Sequence, residues 1–428
     1  TEKLLHSDRI PTSTNYNQKY RLRIWIDYDT NFAEAKYNGA TFGLTINVYS
    51  TGEMSLASGD DVEQLTVGRV ASIRSTSNTD ISGRTGSIYY VSADGDDSND
   101  GLSEASPLKT IAQVKSMMQN NIIADGSTIL FRDGDTFRGN LFVFRNNILL
   151  GSYGDITKGK PILTVSMYDG AKDGKWIQVK ENIWKYTYND SDQVFSYDIG
   201  TLWMFCDDGN NNCSKSMTTI DRTFEYAVKK TTALDYDESN IENEIDTILT
   251  NDLEIYHTGH SGTGRDYATN GGTLYMYSTS NPAERFDEIE FADGRRIIKV
   301  TQPTTYIDNL SLLYTGAHGI GASSISNLVV TNCEIGFVGG SVQNYDDNTA
   351  ERWGNGIEVY GSIDDIGSDT VNEGFVVNNS YVYQVYDAAV TFQYTTDGIA
   401  HMEKAKFINN IIEYSNYNIE YWLTSYST

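Results

Sequence analysis

Four short segments in the last third of the chain repeat one another: YIDNLSL, VVTNCEI, VVNNSYV and FINNIIE. Aligned on a shared asparagine, they give Asn309, Asn332, Asn379 and Asn410, with spacings of 23, 47 and 31 residues. These read as one coil, two coils, and one coil carrying an inserted loop, in a structure that stacks its repeats. Asparagine suits the corner of such a stack. It tolerates a left-handed backbone, and its amide can hydrogen-bond the copies above and below. The flanking positions are β-branched or apolar, as inward-facing strand positions should be.

A second register follows. His318-Gly319-Ile320-Gly321, Asn355-Gly356-Ile357-Glu358-Val359-Tyr360, Ala388-Ala389-Val390-Thr391-Phe392-Gln393 and Tyr417-Asn418-Ile419-Glu420-Tyr421-Trp422 each begin a strand at an equivalent point. With Ile320, Ile357, Val390 and Ile419 pointing inward, strand alternation turns Glu358, Thr391 and Glu420 outward in one column. Tyr360, Gln393 and Trp422 form the neighbouring outer column. Strands stacked about 4.8 Å apart would separate Glu358 and Glu420 by roughly 9–10 Å.

The rest of the chain divides by composition. Residues 1–58 hold two alternating runs, 21–26 (RLRIWI) and 41–49 (TFGLTINVY), with the period of half-buried strands, and read as a small β-sandwich fragment. Residues 59–85, rich in Ser, Thr, Gly and Asp, read as a linker. From 86 to 428 runs a third segment. It opens with the strand Ser87–Ser92 and an acidic turn from Asp94 to Gly101. Ser106-Pro107 then reads as the start of an amphipathic helix from Leu108 to about Asn120. Strand, acidic turn and helix, followed by STILFRDGDTFRG and NNILLGSYGDITKGKPIL, resemble the N-terminal cap and first coils of secreted proteins of the pectate lyase-like superfamily. The resemblance covers residues 87–165 and 285–428. It implies an all-β fold, a right-handed parallel β-helix with an N-terminal capping helix. Residues 165–285 break the rhythm and resemble the β-rich insertion of several β-helix glycoside hydrolases, closed by Leu274–Ser278 and Asn281-Pro282-Ala283. The acidic stretch 235–254 reads as a loop or short helix within it.

Charge narrows the partners. The chain carries 32 Lys and Arg against 58 Asp and Glu, a net charge of −26. That field repels phosphate backbones and anionic lipid, which argues against nucleic acid and membrane surfaces as partners. A polyanionic substrate would need bridging Ca²⁺; carboxylate hydrolysis of a neutral glycan needs no cofactor. The 30 Tyr and 6 Trp suit sugar platforms. No apolar stretch is long enough to span a bilayer and no signal peptide is evident; the abrupt ends read as those of a fragment of something longer, in whose remainder a signal or anchor could lie, and the resemblance implies a secreted or cell-surface protein. Cys206 and Cys213 can close a small loop or stay free, and Cys333 reads as a buried thiol.

Polysaccharide cleavage on this fold uses either a carboxylate pair or a base that abstracts a proton beside a uronate carboxylate. Between 301 and 428 there are 15 Asp and Glu but only Arg352, Lys404 and Lys406 as Lys or Arg. This favours a glycoside hydrolase acting on a neutral or weakly charged polysaccharide. The rival readings are a Ca²⁺-dependent polysaccharide lyase and a non-catalytic glycan-binding adhesin or spike. Glu358, in ERWGNGIEVYG, and Asp387, at the entry to the next strand, are the candidate acid and base or nucleophile. Arg352 would hold a carboxylate or a sugar hydroxyl. His318-Gly319 resembles the histidine-glycine element of β-helix polygalacturonases, whose paired aspartates are absent nearby. Tyr360, Thr391, Gln393, Glu420 and Trp422 read as substrate-binding residues, since amides and aromatic faces suit sugar hydroxyls and rings. The Asp94–Asp100 turn lacks the glutamate of a calcium loop and reads as a cap without metal. His257-x-x-His260 reads as a surface loop.

Overall fold

The computed structural model describes residues 59–230, 240–258, 272–323, 327–346, 349–361, 371–396 and 401–425. The two runs at 21–26 and 41–49, and His260, lie outside them. The chain divides into two compact units, Thr1–Leu65 and Thr66–Thr428. The repeat segments and the insertion both belong to the second unit.

Among the described residues, the repeat segments form parallel sheets. One sheet has seven strands in the order Ile88–Val91, Thr128–Arg132, Ile148–Tyr153, Thr305–Asp308, Leu328–Thr331, Val376–Asn378 and Lys406–Ile408. Each pairs with the next in parallel. A second, curled sheet carries Ser311–Thr315 and Glu334–Val338 on one flank, Ile298–Val300, Ile320–Ser323 and Ile357–Gly361 on the other. The long strand Tyr381–Thr396 pairs with both flanks, and Ile411–Ser425 pairs along its length. Between the sheets lies one apolar core that includes Ile148, Leu150, Ile307, Leu312, Ile320, Val330, Ile335, Ile357, Val377 and Val390.

The asparagine corner is present, with one correction. Asn309, Asn332 and Asn379 have φ of 56°, 53° and 51°, and the fourth member is Asn409 at 57° rather than Asn410. Val377 pairs with Phe407 and Asn378 with Ile408, so FINNIIE begins one residue late against its neighbours. Asn410 instead accepts from the Ser380 N–H at 2.9 Å and donates to the Val377 carbonyl at 2.8 Å. The ladder itself is real: the Asn379 amide donates to Asn332 Oδ1 at 2.5 Å.

A second left-handed column was not foreseen. Tyr314, Phe337, Gln384 and Tyr414 have φ between 49° and 62°. Each falls opposite its counterpart on the next strand and both drop out of the pairing while the register is kept, so left-handed kinks stack on one another. The backbone cost is offset by packing, since Tyr314 stacks on Phe337 at 5.3 Å and both touch Phe205 of the insertion.

The described strands within residues 165–285 pair largely antiparallel. Ile199–Cys206 pairs with Ile220–Tyr226 and Glu288–Asp293, and Ile183–Thr187 with Lys175–Lys180 and Leu274–Tyr277. Cys206 and Cys213 are bridged, and Cys333 is a buried thiol whose pKa burial pushes up to about 12. The acidic stretch contributes the helix Ile241–Ile248, which buries Ile241, Ile245 and Ile248.

Two local readings change. The capping helix is Ile111–Gln119 with Thr110 as N-cap, because Leu108 is drawn into a parallel bridge with Val91. The Asp97 carboxylate accepts from Lys109 N, Thr110 N and Thr110 Oγ1, so the acidic turn serves the cap. Within the expected linker, Gly59–Arg74 is a helix. It buries Val70 and Ile73 beside Tyr381 and Tyr383, and Arg74 grips Glu334 through Nε at 3.0 Å and a second nitrogen at 2.5 Å. No described helix is long and apolar enough to cross a membrane.

The corner predicts a graded response to mutation. Asn379→Ala should destabilise the chain by about 2–3 kcal/mol, from left-handed strain and lost hydrogen bonds to Asn332 and Arg69. Asn379→Gly should cost about 1 kcal/mol less, because glycine removes the strain. Urea unfolding of the pair checks this, and equal losses would exclude a left-handed corner.

Candidate functional site

The outward column forms as its alternation implies. Ile320, Ile357, Val390 and Ile419 are in register and, among them, Ile320, Ile357 and Val390 are buried in the core. Lys299, Gly321, Glu358, Thr391 and Glu420 therefore share the opposite face in one line across the strands. Ser323, Tyr360, Gln393 and Trp422 make the next line. On the last strand Ile419 and Tyr421 are exposed, although Tyr421 stacks on Phe392 at 5.5 Å.

Glu358 is only 6% exposed and is held from two sides. Its Oε2 accepts from Asn355 Nδ2 at 2.9 Å and lies 3.3 Å from His318 Nε2. His318 Nδ1 accepts the Asn355 backbone N–H at 2.9 Å, so that nitrogen carries no proton. The hydrogen-bond pattern thereby assigns the proton of the neutral ring to Nε2, facing Glu358. Asn355 Oδ1 accepts the Ala388 N–H at 3.0 Å, and the Asp387 N–H donates to the Gly354 carbonyl at 3.2 Å. One buried asparagine thus ties Glu358, His318 and the turn bearing Asp387 into a single unit.

Asp387 is half-buried. Burial first, then the charges of Glu420 and Glu358, push its pKa up to about 6. Glu420 is tied to its own column, accepting from Thr391 Oγ1 at 2.8 Å and from Gln393 Nε2 at 2.9 Å. Three carboxyl groups therefore act on one locality. Glu358 and Glu420 stand two strands apart, roughly 9–10 Å by strand spacing, which exceeds the 5–5.5 Å of a retaining carboxylate pair. Asp387 is the group that both of them influence.

The other predicted residues fall in different places. Tyr360 is half-buried, Trp422 is exposed beside Gln393, and Thr391 is fully buried. Among the described residues, Arg352 is not paired with a carboxylate. Its guanidinium donates to the carbonyls of Gly340 at 2.5 Å and Gly200 at 3.3 Å and packs over Tyr386, which precedes Asp387. His257 is buried rather than on a surface loop. It lies 3.7 Å from Asp198, which pairs with Lys229 at 2.6 Å and accepts the Val342 N–H at 2.7 Å. That cluster fastens the insertion to the segment leading into Arg352.

Arg296 escaped the sequence reading. Ile298 pairs with Ile320 as Ile320 pairs with Ile357, so Arg296, His318 and Asn355 occupy the same offset, two residues before the inward strand residue. A Cβ on Gly321 would come within 2.6 Å of Arg296 Cδ and Nε, so glycine makes room for the guanidinium stem beside Glu358. Extending the alignment one coil towards the N-terminus would have found it.

No family model matches the chain. Over 102 residues it is 30% identical to the lacto-N-biosidase of Bifidobacterium longum subsp. longum, a match covering 22% of this chain and 6% of that protein. Among solved structures it is similar to XylC in complex with xylose, at 11% identity and TM-score 0.35, covering 78% of this chain and 66% of that one. A second is the lacto-N-biosidase of glycoside hydrolase family 136 from Eubacterium ramulus, at 12% identity and TM-score 0.32, covering 77% and 52%.

The site has a titration signature. The raised pKa of Asp387 means its protonated form contributes stability that is fully present below about pH 4, the unfolded value, and is lost as pH rises through about 6. Carboxyl ¹³C NMR should show a midpoint near 6 that falls in Glu420→Gln and in Glu358→Gln. Asp387→Asn should gain stability relative to wild type between pH 4 and 7. A midpoint near 4, indifferent to both glutamates, would dissolve the three-carboxyl grouping.

Proposed function

We propose that this chain belongs to a secreted or cell-surface carbohydrate-active enzyme, a glycoside hydrolase built on a right-handed parallel β-helix, which cleaves a neutral or weakly charged polysaccharide. The observation that carries this reading is the coupling of Asp387, at the break in register before Ala388, to Glu358 and Glu420 of the outward-facing line. A carboxyl group with a pKa near 6 remains protonated at mildly acidic pH and can act as a general acid. Glu358, oriented by Asn355 and His318, would serve as its partner, base or nucleophile. Gln393 and Glu420 would offer an amide and a carboxylate to sugar hydroxyls, and Tyr360 and Trp422 ring faces, whereas Thr391, expected from the sequence to touch substrate, is fully buried and its hydroxyl holds Glu420 in place. The partial sequence match to a protein named as a lacto-N-biosidase supports the reading in the same direction.

Arg352, placed as it is, would position the Tyr386–Asp387 turn from behind. His318 would orient Glu358 through Nε2, and its Nδ1 is committed to the backbone, which leaves it without a free acceptor for substrate. A lyase would need a base with a cationic neighbour to neutralise a uronate. Lys299 lies in the line of Glu358 and Arg296 packs against Gly321 of that line, so acidic polysaccharides with Ca²⁺ belong in the test.

The test is a panel of neutral and acidic polysaccharides, with and without Ca²⁺, assayed for new reducing ends and for unsaturated products. Hydrolysis should appear on a neutral polymer. Glu358→Gln and Asp387→Asn should each lower kcat/KM by at least about 10²-fold, the scale of a lost acid or base. The basic limb of the kcat/KM profile should lie near pH 6 and move down in Glu420→Gln. Unsaturated products would replace the hydrolase with a lyase. Full activity in both variants would overturn the site.

A further inference from the structure

The seven-stranded sheet carries a second built feature, away from Glu358. The segment after the first helix crosses the outer face of this sheet as a strap. Thr79 N donates to the Ser152 carbonyl at 3.4 Å, Ser152 N donates to Thr79 Oγ1 at 3.0 Å, and Asn78 Nδ2 donates to the Gly154 carbonyl at 2.8 Å. A Cβ on Gly151 would lie 2.3 Å from Thr79 Oγ1, so the strap sits directly on the backbone there. At its start, Thr76 Oγ1 donates to Asn309 Oδ1 at 2.5 Å and accepts from Lys160 Nζ at 2.6 Å. The asparagine corner thus anchors the strap in place.

Between strap and sheet lies a cleft of about 370 Å³, within the size range of small-molecule sites. Its lining includes Asn78 and Asp80 from the strap, with Tyr306, Asp308, Thr331 and Asn332 from the sheet. Asp308 is oriented: one carboxylate oxygen accepts from Thr331 Oγ1 and from Asn332 Nδ2, both at 2.7 Å. The floor is ring and aliphatic surface from Tyr306 and Val329.

The cleft's cation is already spent. Arg84 donates to Thr128 Oγ1, to Asn147 Oδ1 and to the carbonyls of Gly126, Ser127 and Asn147, and its guanidinium covers one face of Tyr306 at 5.9 Å. With two aspartates at the rim and a chain of net charge −26, an anionic ligand is disfavoured. The same two columns continue across the sheet, Tyr306–Val329–Val376 and Asp308–Thr331–Asn378. An extended ligand would therefore lie across the strands.

We infer that this strapped cleft is a second, non-catalytic binding site for a neutral glycan, on a different sheet from the line of Glu358. Carboxylates and amides held by their neighbours accept and donate to sugar hydroxyls, and the apolar floor takes a ring face. Because strap and sheet are fastened before any ligand arrives, little ordering opposes binding. Such a site would hold a polymer against the protein independently of what happens at Glu358.

Affinity electrophoresis in gels cast with β-glucan, galactomannan, arabinoxylan or pullulan tests this, with polygalacturonate as the anionic control. At least one neutral polymer should retard the chain, and polygalacturonate should not. Tyr306→Ala and Asp308→Asn should each weaken that retardation at least fivefold, while Glu358→Gln leaves it in place. Hydrogen exchange on the unmodified chain supplies a readout that does not depend on variants folding: residues 77–84 should gain protection when the retarding polymer is added. Retardation that survives both cleft variants, retardation by polygalacturonate alone, no retardation by any neutral polymer, or no protection of 77–84 would each overturn the site. A failure to find hydrolysis leaves this outcome untouched, since binding is what is measured.

Discussion

The structure depends on parallel strands stacking in strict register. Side chains alternate with a period of two, so one residue of slip between coils would exchange the core face for the solvent face. Ile320, Ile357 and Val390 sit at equivalent points of successive strands and are buried together. Everything outward at the site is a consequence, since Glu358, Thr391 and Glu420 line up only because their neighbours are locked inward. The asparagine corner reinforces that register from the other side of the coil. It absorbs a left-handed turn at each repeat and bonds one repeat to the next.

Register was legible because it is written twice, in the apolar alternation and in the corner asparagines. The alignment erred where both signals became ambiguous. FINNIIE contains two adjacent asparagines, and only strand pairing separates Asn409 at the corner from Asn410 beside it. The stacked left-handed positions Tyr314, Phe337, Gln384 and Tyr414 carry no local signature, because bulky residues do not choose a left-handed backbone by themselves. At Tyr314 and Phe337 the gain is long-range, since both rings pack against Phe205 of the insertion. Gly59–Arg74 escaped for a related reason: its helix rests on Val70, Ile73 and the Arg74–Glu334 pair, partners 260 residues away in the case of the last.

At the site, the column residues were readable and their connections were not. Alternation placed Glu358, Thr391, Gln393 and Glu420 on one face, and the hydrogen bonds of Glu420 to Thr391 and Gln393 join three of them. The tie from Glu358 through Asn355 to His318 and Ala388 crosses three successive parallel strands. The partners of Arg352 were not legible, because a strand-end arginine advertises charge, whereas its bonds go to backbone carbonyls of Gly340 and Gly200 and its guanidinium packs over Tyr386.

The central claim is that a glycan chain is cut where Asp387 faces Glu358. The most direct measurement is a crystal structure of the Asp387→Asn variant with a bound oligosaccharide of the polymer it hydrolyses. The account predicts a glycosidic oxygen within hydrogen-bond reach of Asn at position 387, the adjoining anomeric carbon facing Glu358, and sugar rings beside Tyr360 and Trp422. A productive ligand bound elsewhere, with that line of carboxyl groups left empty, would contradict it.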